Sequence, residues 1–157
     1  MKLCIHAVFA LLFSAFLASL PAHADVHFHV KNCTKMDLEF TTYDGHDKVA
    51  QIQYKKFTLR GLKDGTDDVS ATKTSCHIGC PWGKSCNSRC KIRLQSDVGR
   101  KSKTANVYKD QYIRFTSAEI IPASGKPLSE GHTRTWYTLA SEEQKCSDHA
   151  TDVKQLD

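Results

Sequence analysis

A chain of 157 residues carries 22 basic and 17 acidic side chains, a formal charge of +5 with neutral histidines. That length suits one domain with its own core and leaves little room for two. The charge is mildly basic, short of the footprint of a dedicated nucleic-acid binder, so nucleic acid is not an expected partner.

The first segment, MKLCIHAVFALLFSAFLASLPAHA, has a basic Lys2, an apolar run from Val8 to Leu20, and small residues at Ala22 and Ala24. This is the pattern of a cleaved signal peptide over residues 1–24. The run is about 13 residues long, short of the ~20 a spanning helix needs, and polar sequence follows it. The expectation is a secreted or periplasmic chain of residues 25–157 forming one β domain, with no transmembrane segment. Cys4 would leave with the leader, and six of the seven cysteines would remain.

From Val26 the dominant period is two. Val26, Phe28 and Val30 oppose His27, His29 and Lys31, and Met36, Leu38 and Phe40 oppose Asp37 and Glu39. KFTLR, VSATKTS, CKIRLQ, NVY, QYIRFT and TRTWYTL continue as strands. Asp44-Gly45, Asp64-Gly65, Val98-Gly99 and the stretch Pro122 to Pro127 mark turns between them. Roughly seven to nine short strands predict a mainly β fold, a small antiparallel β-sandwich or barrel. At most one short C-terminal helix is expected, at Ser141 to Cys146, where Ser141 can cap and Glu142 and Glu143 suit the positive end of the dipole.

An even cysteine set behind a signal peptide reads as a disulfide framework. Cys76, Cys80, Cys86 and Cys90 are spaced Cys-x3-Cys-x5-Cys-x3-Cys, unlike two zinc knuckles held apart by a longer insert and without a Cys-x-x-Cys redox pair. The strand-like flanks suggest a hairpin with Cys76–Cys90 and Cys80–Cys86 as nested rungs. A rung closing about 15 residues would stabilise by ~3 kcal/mol in the chain-entropy model. Cys33 and Cys146 would then tie the ends of the domain together.

Three kinds of chemistry are open. Lys84, Arg89, Lys91, Arg93, Arg100, Lys101 and Lys103 cluster with only Asp97 opposed, and Trp82 stands at the hairpin tip. Lys91 and Arg93 alternate with Ile92 and Leu94, so they are expected on a solvated strand face. A rigid tryptophan above cations suits an anionic partner: a glycan, a lipid head group or an acidic protein surface. The opposing reading is a solvated edge strand whose lysines deter aggregation.

The second is copper. Cleavage after Ala24 would expose Asp25-Val26-His27, whose amine, two backbone amides and imidazole suit square-planar Cu(II), with His29 on the same face as a further ligand. Cleavage after Ala22 would instead expose His23, a resemblance to copper monooxygenases with an amino-terminal histidine, which need a second histidine placed by the fold. No other cofactor is expected.

The third is a small hydrolase assembled from His77, His132 or His149 with Glu119 or Glu130. No nucleophile elbow, His-Glu-x-x-His or phosphate loop is present. DGHD (Asp44 to Asp47) reads as a turn and LKDGTDD (Leu62 to Asp68) as an acidic loop lacking the calcium-loop ladder. Asn32-Cys33-Thr34 is formally a glycosylation acceptor that a bonded Cys33 would hinder. The leading expectation is a disulfide-stabilised binding protein, with copper binding and hydrolysis as alternatives.

Overall fold

A computed structural model describes residues 24–44, 53–78, 89–94 and 104–156. Residues 1–23 of the expected leader (1–24), Gly45 to Asp47, Cys80 and Cys86, and Trp82, Lys84, Arg100, Lys101 and Lys103 lie outside these residues.

Nine strands form two sheets: β1 (Ala24–Asn32), β2 (Leu38–Tyr43), β3 (Gln53–Leu59), β4 (Thr72–Ile78), β5 (Arg89–Leu94), β6 (Ala105–Tyr108), β7 (Tyr112–Ile121), β8 (His132–Ala140) and β9 (Lys154–Leu156). One sheet runs β4-β1-β7-β8-β9 and the other β3-β2-β5-β6. The arrangement is sandwich-like, with no closed barrel. All pairings are antiparallel except β1 with β7, which is parallel from His29↔Tyr112 to Asn32↔Phe115.

The two-residue alternation in the sequence becomes the two sides of each strand. Val26, Phe28 and Val30 of β1 face Phe40, Ile92, Leu94 and Val107 of the opposite sheet, with Ile113 and Phe115, in one buried cluster. Phe40 bridges the layers, its ring 4.7 Å from Phe115 and 5.5 Å from Phe57. Fully burying one such side chain contributes roughly 1.5–3 kcal/mol.

Both disulfides within the described residues have the expected partners, Cys33–Cys146 and Cys76–Cys90. Their setting differs from expectation in one respect. Cys76 lies on β4 and Cys90 on β5, which belong to different sheets. The bond therefore crosses the core as an inter-sheet tie, with both cysteines fully buried, and is not a hairpin rung.

The expected helical turn at Ser141 to Cys146 is absent; the only helical element among the described residues is a short 3-10 turn at Leu128–Glu130. The loop's carbonyls are used elsewhere. Gln144 O accepts from Lys31 Nζ at 2.9 Å, and the carbonyls of Lys145 and Asp148 accept from Arg114 Nη1. In a helix ending at Cys146 the Gln144 and Lys145 carbonyls would fall in the unpaired last turn; here buried cations hold them and fix the loop's path. Lys31, almost fully buried, also meets Asp68 at 3.0 Å and Glu143 at 2.9 Å. LKDGTDD thus ends in a structural carboxylate. Asn32, 1% exposed, donates from Nδ2 to Met36 O and Leu59 O while Oδ1 accepts from Thr34. Its amide is spent on the fold, which leaves no access for a glycan.

Candidate functional site

The cationic strand comes first. β5 sits inside its sheet between β2 and β6, so it is no edge strand. Cys90, Ile92 and Leu94 point into the core, and Arg89, Lys91 and Arg93 line the outer face. Arg93 lies over the Tyr43 ring, 4.8 Å from its centroid, a cation–π contact that holds the guanidinium against the sheet. Lys91 is opposite Tyr43 in register and only 9% exposed, so the expectation of a solvated lysine at this position is overturned. With strands on both sides of β5, its outer side chains lie among those of two neighbours and lack the open flank an edge would give them. Of the expected cationic surface, the described residues retain Arg89 and Arg93, both half-buried.

The copper ligands share one side of β1. Asp25, His27 and His29 alternate with the core residues Val26, Phe28 and Val30. Asp25 pairs with His77 of β4, and its Oδ1 lies 2.9 Å from His77 Nδ1. That hydrogen bond is the main reason the Asp25 carboxyl titrates below its ordinary value. His29 is stacked on Tyr112, with ring centroids 4.4 Å apart. The three are thus spread along the strand, with Asp25 and His29 held by separate partners. Among the described residues, the only close set of three ligating atoms joins Asp68 to Cys33 and Cys146, whose sulfurs are bonded to each other. Wrapping Cu(II) in the amide of Val26 would also require β1 to part locally from Cys76 on β4.

The histidines of the hydrolase reading do not assemble with its glutamates. Glu119 meets Arg134 at 3.3 Å, and Glu130 meets Lys126 at 3.2 Å. His77 is held instead by Asp25, a partner that only strand register brings near. Ser75, two residues before it, is 2% exposed, and its Oγ accepts from Lys55 Nζ at 3.0 Å. A hydroxyl so covered has no room for an incoming carbonyl.

A different feature emerges at the open side of the sandwich. β3 and β4 are the edge strands of their respective sheets, and among the described residues neither has a partner on its outer side. Lys55 Nζ of β3 donates to Ser75 Oγ of β4 at 3.0 Å, beside a 3.1 Å hydrogen bond from Thr42 Oγ1 of the neighbouring β2 to Ser75 O. Beyond that tie lies a groove of about 510 Å3 lined by residues 54–59 and 72–74. Phe57 and Leu59 in its lining also pack against the core.

Lys55, Lys56 and Lys73 line this groove, and no carboxylate does. Lys56 shares its charge with Glu39 at 3.1 Å, and Lys55 lies over the Tyr54 ring at 5.5 Å. Lys73 is exposed and has no ion-pair partner among the described residues. Register sets Lys55 on the side of Phe57 and Leu59, and Lys56 and Lys73 on the outer faces of the two sheets. The groove thus has an apolar strip with cations along both rims and can hold an anionic, partly apolar ligand. Sequence reading missed this site. Its one local signal is the adjacent pair Lys55-Lys56 in a weakly alternating strand, and Lys73 joins it only through the topology.

The fold and this groove define a disulfide-tied β-sandwich with a cationic cleft between two open edges. No protein-family model matches the chain, and no curated protein or solved structure shows significant similarity to it. No helix among the described residues is long and apolar enough to cross a membrane.

Proposed function

We propose that this protein is an exported binding protein that recognises an anionic partner and acts without catalysis. The observation that carries the reading is the groove between β3 and β4, with Lys55, Lys56 and Lys73 in its lining and no acid. Its size falls within the roughly 300–1,000 Å3 of ligand clefts. Export is supported by the leader-like opening segment and by two disulfides, which persist in oxidising compartments. Arg93 and Arg89 on the outer face of the sheet that holds β3, with the basic residues expected around Trp82, would add long-range attraction.

The test is retention of the oxidised protein on three polyanions: heparin, vesicles rich in phosphatidylglycerol, and polyglutamate. Binding to at least one is expected at about 0.05 M salt, with at least a tenfold loss by about 0.5 M as the charges are screened. Lys73→Glu, at an exposed position, should weaken it about tenfold without lowering the melting temperature. Retention on none of the three, or retention indifferent to salt and to Lys73→Glu, would overturn the reading.

A further inference from the structure

We infer that the occupant of the groove is an extended acidic segment of a partner protein, added as a strand along the edge of β3 that is unpaired among the described residues. This rests on the reading above that the partner is anionic. A strand paired on one side presents a row of alternating N–H and C=O groups on the other. Residues 54–59 of β3 contribute consecutively to the lining, against three of β4. The groove therefore offers backbone donors and acceptors in register, and only a peptide can pair with that row. A sugar or a lipid head group would engage the ammonium groups and leave the row unread.

The two sides of β3 specify what such a peptide carries. Phe57 and Leu59 are half-buried and pack against the core, whereas Lys56 and Thr58 alternate with them on the exposed side. In an added strand successive residues point to opposite sides. Apolar side chains at alternate positions would continue the Phe57–Leu59 strip, and acidic ones between them would meet Lys56. Lys73, on the far rim of the groove, adds to the positive field.

A second copy of the chain fits poorly. Edge-to-edge pairing of two β3 strands would set Lys55 and Lys56 close to their own counterparts, and like charges on paired strands destabilise. The same lysines repel a neutral or basic edge, which is how edge strands avoid aggregation. An acidic strand is the one class they attract.

The experiment uses the full oxidised chain, labelled for amide exchange by NMR, and a capped peptide of about six residues alternating valine and glutamate, the usual strand length. Companion peptides replace glutamate with lysine, or carry N-methyl groups on one or the other set of alternate amides. The expected result is slowed exchange confined to Tyr54 through Leu59 and neighbouring Thr72 through Thr74. The lysine peptide should bind at least tenfold more weakly. One methylated form should lose at least tenfold and the other should not, because only one set of amides faces β3. Lys73→Glu should weaken binding about tenfold with melting temperature unchanged, and Lys56→Gln should weaken it too while giving up only the surface pair with Glu39.

Equal binding of the two methylated forms, protection elsewhere on the molecule, or a dimer cross-linked through β3 would overturn the inference. If the peptide fails while heparin, vesicles or polyglutamate still bind in a Lys73-dependent way, strand addition falls and the anionic reading stands. If nothing binds, both fall.

Discussion

Lys31 is the most consequential single charge in the described fold. Its ammonium is nearly shielded from water, while its carboxylate partners Asp68 and Glu143 are one-third to one-half exposed. This makes the two ways of breaking the cluster unequal. Lys31→Met removes the buried charge and lets both acids re-solvate, which should cost on the order of 1 kcal/mol or less. Asp68→Asn with Glu143→Gln strands the ammonium and should cost nearer ~3 kcal/mol, since an unpaired buried charge is the expensive case. Urea unfolding of the two variants checks the order, and equal losses would refute it.

The same cluster sets an acid limit. Burial would raise the Asp68 carboxyl, but hydrogen bonds from Lys31 and from the N–H groups of Cys146 and Val69 outweigh it and leave it below its ordinary value. Lys31 is also the main cause of the lowered Glu143 carboxyl, which Ala71 N–H supports. Carboxyls depressed in the folded state stabilise it above their unfolded values, about 4, and that contribution disappears as pH falls through the folded ones. The melting temperature should therefore drop below about pH 4, by less in the Asp68→Asn, Glu143→Gln variant. A parallel fall in both proteins would assign the acid sensitivity elsewhere.

At the scale of elements, the two disulfides do different work. Cys76–Cys90 closes 14 residues and links facing sheets, whereas Cys33–Cys146 spans 113 residues and anchors the loop after β8 to the end of β1. In the chain-entropy model the longer loop is worth roughly 5 kcal/mol and the shorter ~3. Paired Cys→Ala changes should lower the melting temperature in that order. The reverse order would show that native packing around Cys76 and Cys90, both fully buried, outweighs loop closure.

The strands, the core side of β1 and both of these cysteine pairings were legible from alternation and spacing. Sheet membership was not. Alternation says which residues share a side, and is silent on which strand lies next to which. That is why β5 was expected to be a hairpin partner of β4, and why Lys91 was expected in solvent. The groove escaped for the same reason, because Lys55, Lys56 and Lys73 come to border one groove only once β3 and β4 are known to be neighbouring edge strands. The loop at Ser141 to Cys146 read as a helix because its caps and acids are local features, while the buried cations that claim its carbonyls are more than 30 residues away in sequence.

For the whole molecule, both sheets contribute to one core and a covalent bond joins them, so neither can melt alone. Thermal unfolding of the oxidised protein should be one transition, with calorimetric and van't Hoff enthalpies equal. Two resolved transitions would mean that the sheets are energetically separate. Mostly non-local pairing also predicts refolding in milliseconds to seconds, slower than a helical protein of similar size.

The parallel pairing of β1 with β7 carries a consequence for how the chain is made. β1 is the first strand of the fold to be synthesised, and it lies between β4 and β7, with β7 beginning at Tyr112. Until that later segment emerges, β1 lacks one neighbour, and the Cys33–Cys146 bond must wait longer still. The first strand of the described fold is thus among the last to be secured. A chain built this way resists premature folding while its tail is still being made.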